Sequence, residues 1–103
     1  VNGKRQIDII PLRMIPLVMY SGLEPTIENY LAGTSLNIQS IVYEVCDGKV
    51  IGEKGIDALI RKVVEANNLE FARYTSGLAG GTVETMIRRK AASLDFTPVS
   101  PAR

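Results

Sequence analysis

The segment Ile9 to Tyr20, "IIPLRMIPLVMY", constrains this chain most. Nine of its twelve side chains are apolar, and Pro11, Arg13 and Pro16 interrupt them. A helix that crosses a bilayer needs ~20 consecutive apolar residues, so this run is too short to span. It also lacks the layout of a cleavable signal, and no membrane partner is expected. Proline cannot donate to a strand ladder, so the segment cannot run through the middle of a sheet. It reads as buried or subunit-facing extended chain. Each buried aliphatic side chain is worth about 1.5–3 kcal/mol, and the rest of the sequence already supplies a core. The surplus predicts a homo-oligomer, with a two-fold dimer the commonest form.

The rest of the chain has an ordinary globular balance. Of 103 residues, 46% are hydrophobic and 22% charged, which suits one folded domain over 1–103 and not a disordered chain. The net charge of +1 gives no whole-domain attraction for nucleic acid. Cys46 is the only cysteine and histidine is absent. An intrachain disulfide, a cysteine zinc site and a histidine-activated nucleophile are therefore excluded. No metal or cofactor is expected, and the cytoplasm is the natural compartment. Cys46 itself reads as a buried or neutral thiol.

Hydrophobic periodicity divides the chain. Residues 4–10 alternate as a strand, and "MIPLVMY" is either a short buried strand or the start of a helix. Ser21 to Glu24 has capping-box spacing, and a helix is expected over 23–32, closed by Gly33. "NIQSIVYEV" and "KVIG" flank Asp47-Gly48, which predicts a hairpin with a two-residue turn. Ile56, Leu59, Ile60, Val63 and Val64 share one face of a helix expected over 54–67. "LEFARY" reads as a strand, Thr82 as the cap of a further helix, and "LDFTPV" as a last short strand. The sum is α+β: a small mixed or antiparallel sheet with two to three helices packed on one face.

Two glycine patterns raise functional questions. "SGLAGGT" places Ser76, Gly77, Gly80, Gly81 and Thr82 ahead of a helix. Backbone amides and hydroxyls there can hold a small anion. The alternative is a flexible joint. It is neither a Walker loop nor G-x-G-x-x-G. The second pattern, "VIGEKGIDALI", has an apolar pair, then G-x-x-G, then an amphipathic helix. It locally resembles the signature loop of KH domains, which clamps single-stranded nucleic acid. The resemblance implies RNA contact through Gly52, Lys54 and Gly55, with Lys49 and Arg61 nearby. The alternative is that both glycines serve a turn and a helix entry.

Other candidates are weaker. Arg88, Arg89 and Lys90 lie near a helix C-terminus, where cations are favourable. Asp8, Arg13, Arg73 and Asp95 can meet only if the sheet brings them together. Tyr20, Tyr30, Tyr43 and Tyr74 are expected to pack with their hydroxyls at the rim. The leading expectation is a non-enzymatic, self-associating module whose glycine loops bind a small anionic ligand or a protein partner. A KH-like RNA-binding module is the second. The third is a small enzyme or enzyme subunit with an anion pocket at 76–82.

Overall fold

The computed structural model describes residues 9–101. Helices are α1 (Pro16–Ser21), α2 (Ile27–Gly33), α3 (Glu53–Arg61), α4 (Leu69–Leu78) and α5 (Val83–Leu94). Strands are β1 (Val42–Glu44), β2 (Lys49–Ile51), β3 (Val63–Val64) and β4 (Thr97–Pro98). Strand β1 pairs antiparallel with β2, and β3 pairs parallel with β4. The fold is α+β, as the periodicity predicts. Among the described residues no helix is long and apolar enough to cross a membrane.

Most of the strand expected over 4–10 lies outside the described residues; Ile9 and Ile10 are exposed and in neither helix nor strand. The apolar segment that follows is a 3-10 turn, Leu12–Met14, and then α1, not extended chain. Pro16 occupies the first turn of α1, where its missing N–H costs nothing. Ser21 closes α1 instead of opening the next helix. Its hydroxyl donates to the Val18 carbonyl and accepts from Leu23 N–H, and Gly22 turns left-handed at φ 67°. The cap of α2 is Thr26, whose Oγ1 accepts from Asn29 N–H at 3.1 Å.

The hairpin forms, but its turn is longer than two residues. Glu44 pairs with Lys49, which leaves Val45 to Gly48 as the connection, closed by Gly48 N–H donating to the Glu44 carbonyl at 2.8 Å. Cys46 is exposed in this loop, not buried. The Glu44 carboxyl is held above its ordinary range by a hydrogen bond with Asp47.

Helix α3 is shorter than its periodicity and faces the unexpected way. Lys62 ends it in the left-handed region, at φ 56°. Beyond it Val63 and Val64 leave the helix for β3, where Val64 is fully buried. The anchoring side of α3 is its small face, Gly55 and Ala58. Its large aliphatic residues are wet: Ile56 is 36% exposed, Leu59 49% and Ile60 75%. Asp95 ends α5 in the same left-handed way, at φ 59°, and β4 follows it.

"LEFARY" is helix, not strand. Asn68 caps it, its Oδ1 accepting from Phe71 N–H at 3.0 Å, and Phe71, Ala72 and Ser76 form its buried side. The main core joins Leu36, Val64, Ala72, Val83, Ile87 and Ala91. A smaller one joins Leu17, Val18 and Phe71, so α1 is held on α4. Tyr20 stacks on Tyr74 with ring centroids 4.4 Å apart. Its hydroxyl donates to Glu70, and partial burial followed by the Glu70 charge raises its pKa.

Candidate functional site

A concavity of about 630 Å³ lies between α4 and α5. That volume falls in the range of small-molecule sites, about 300–1,000 Å³. One stripe of α5 forms a wall: Thr82, Thr85, Met86, Arg89, Lys90 and Ser93, spaced as one helical face. A different stripe, Val83, Ile87 and Ala91, enters the core. The helix thus divides its two sides between packing and the cleft. Thr82 starts the wall because its side chain caps the helix, Oγ1 accepting from Thr85 N–H at 3.2 Å.

Helix α4 supplies Thr75 and Ser76, and the connection to α5 supplies Ala79, Gly80 and Gly81. Leu36 and Gln39 border the cleft from the 3-10 turn at Asn37–Gln39. Leu36 is buried, and Met86, half-buried, packs against the core. Hydroxyls are numerous, yet those of Thr75 and Ser76 are turned back to the chain. Thr75 Oγ1 meets the Phe71 carbonyl and Ser35 Oγ, and Ser76 Oγ donates to the Arg73 carbonyl. That orientation leaves the threonine methyl, Leu36, Ala79 and Met86 to make the surface aliphatic.

Of the anion-site residues read from sequence, Ser76, Gly80, Gly81 and Thr82 line this one cleft; Gly77 is not among its lining residues. Their chemistry differs from a backbone cradle. Gly80 N–H donates to the Gly77 carbonyl at 3.0 Å, and Gly81 N–H to the Ser76 carbonyl at 2.9 Å. These bonds satisfy the last carbonyls of α4, so both amides are committed. Positive charge instead comes from Arg89 and Lys90. Neither forms an ion pair with another described residue, whereas Arg88 is paired to Glu84 at 3.0 Å. None of the three lies in the last turn of α5, so the dipole does not account for the basic run; position on the helix separates them. Extending the helical period from Thr82 picks out Thr85, Met86, Arg89 and Ser93, a signal the glycine pattern had masked.

A smaller concavity, about 420 Å³, borders the same loop from the other side and includes Arg73, Glu84 and Pro101. Neither Arg13 nor Asp95 lines it, and Asp8 lies outside the described residues. Among the described residues no group of three or more His, Cys, Asp or Glu is placed to hold a metal ion.

The G-x-x-G residues have packing roles. Gly52 adopts φ 128°, and a Cβ there would overlap the Ser40 carbonyl. Gly55 donates its N–H to that same carbonyl at 3.1 Å, and a Cβ on it would sit 2.6 Å from Ser40 O. Lys54 Nζ bonds Asn67 Oδ1 at 2.9 Å, and Arg61 pairs with Asp57 and Glu65. Lys49 is exposed on β2. The loop joins a strand to a helix, with its glycines pressed on backbone.

No protein-family model, no curated protein and no solved structure matches this chain.

Proposed function

We propose that the chain is a small cytoplasmic binding and assembly module that takes a small anionic ligand in the α4–α5 cleft. One observation carries this: an aliphatic floor of Leu36, Ala79 and Met86 lies within the same cleft as two cations that have no ion partner among the described residues. Ligand sites of this size combine an apolar lining with a few convergent polar groups. Charge screening is weaker in a cleft than on an open surface. A thermal-shift series tests it. Organic anions should raise the melting temperature of the natural protein by a few degrees at ten times Kd, where linkage stabilises by about 1.4 kcal/mol. Their neutral analogues should not. In Arg89→Glu with Lys90→Glu the anion effect should vanish while the far-UV spectrum stays helical. Equal stabilisation of both proteins would remove the reading.

A second surface supports self-association. Ile9, Ile10, Met14, Met19, Tyr20 and Leu23 are all large, apolar and exposed within one short stretch, Ile9 at 94% and Met19 at 62%. Exposed apolar residues scattered singly are ordinary; six within fifteen positions of the chain are a concentration that an interface would use. A two-fold dimer would bring the two patches together. Sedimentation should show a dimer at about 100 μM, a weak-interface concentration. Met19→Glu with Leu23→Glu should yield monomers with unchanged helix content. A natural protein that sediments as a monomer there overturns the proposal.

A further inference from the structure

Resting on the cleft reading above, we infer that the ligand is an unbranched aliphatic carboxylate, its head at Arg89 and Lys90 and its chain running back along α5 past Met86 toward Thr82. Three features of the cleft select this class. The first is direction. Cleft residues recur along α5 from Thr82 to Ser93, so the site is a trough parallel to the helix. From Thr82 to Arg89 the helix rises about 10 Å, a distance that an extended octanoyl chain spans. The cations sit toward one end, and Met86 lies one turn nearer the other.

The second feature is the lining itself. It contains no aromatic ring, so a nucleobase or other planar ring would find no stacking partner of the kind such ligands use. Leu36, Ala79, Met86 and the threonine methyls offer aliphatic contact, and the flexible thioether of Met86 adapts to a chain. The third is the state of the backbone. Phosphate sites at glycine loops use inward-pointing amides, and here Gly80 and Gly81 have given theirs to α4. What remains is the planar fork of Arg89, which matches a carboxylate in two parallel hydrogen bonds, with Lys90 as a second point charge.

The test is an NMR titration of the full chain with octanoate, 1-octanol, benzoate and inorganic phosphate. It follows the Met86 methyl and the amides of Thr85 and Arg89. Octanoate should shift all three signals saturably and bind at least tenfold tighter than octanol, while phosphate and benzoate leave the Met86 methyl in place. Arg89→Glu should weaken octanoate at least tenfold. Met86→Gln should also weaken octanoate but leave any weak binding of phosphate unchanged. If phosphate or benzoate binds as tightly as octanoate, the aliphatic assignment fails while the anion site stands. If octanol binds equally well, the carboxylate head is wrong. If no anion moves these signals, both the assignment and the anion site fall.

Discussion

Gly52→Ala should destabilise the chain by about 3–5 kcal/mol, close to the whole stability of many domains this size. Two costs combine. A Cβ at position 52 would overlap the Ser40 carbonyl, and overpacking against backbone typically costs about 1–3 kcal/mol. The φ of 128° also lies where residues other than glycine are strained by about 1–3 kcal/mol. Gly55→Ala is the sharper control. In an ordinary helix interior that exchange gains about 1 kcal/mol. Here the new methyl would lie 2.6 Å from both Ser40 O and Ile41 Cβ, so a net loss is expected. Urea midpoints for both variants check this. A stabilised Gly55→Ala would show that α3 is not pressed on residues 40–41. The same expectation bears on the RNA alternative: glycine substitutions in this loop would abolish any binding by unfolding. Lys49→Ala and Lys54→Ala are the variants that would report on nucleic acid.

Asn37→Ala should cost about 3 kcal/mol. Asn37 is buried, and its side chain makes three hydrogen bonds at about 3 Å: Nδ2 donates to the Val63 carbonyl, and Oδ1 accepts from Ile38 and Glu65 N–H. It bonds the turn before the hairpin to both sides of β3. Truncation strands these backbone groups away from water, at about 1–3 kcal/mol for each that finds no new partner. Asn37→Asp retains the acceptor and loses the donor, and should lose less than the alanine variant only at low pH, where the carboxyl is neutral. Chemical denaturation at two pH values separates the cases. An alanine variant within 0.5 kcal/mol of the natural protein, the range of ordinary surface changes, would mean that water replaces the amide.

The α+β class, the capping role of Thr82 and the hairpin were all legible because each rests on local chemistry: a side-chain oxygen ahead of a helix, or a glycine at a tight turn. The face of α3 was not. Its aliphatic stripe is strongly periodic, but Gly55 approaches residues 40–41 more closely than any leucine could, Ala58 is buried beside it on the same face, and closeness decided the packing. "LEFARY" misled because six residues carry too few turns to separate the two periods. Asn68 ahead of it was the cue that local hydrogen bonding favoured helix. At the candidate site, glycine identity drew attention to amides that α4 consumes, while the cationic wall needed only the helical period counted on from Thr82.

Both strands of the parallel pair leave a helix through a left-handed residue, Lys62 before β3 and Asp95 before β4. The two ladder partners are separated in the chain by all of α4 and α5. Closing so long a loop carries an entropic penalty before any contact repays it. Hairpin and helices can form from near neighbours, whereas this seam must wait for them. The packing of α4 on α5 closes a shorter loop than the β3–β4 seam does, and the carboxyl-terminal strand is the latch that carries the larger closure cost on Val64.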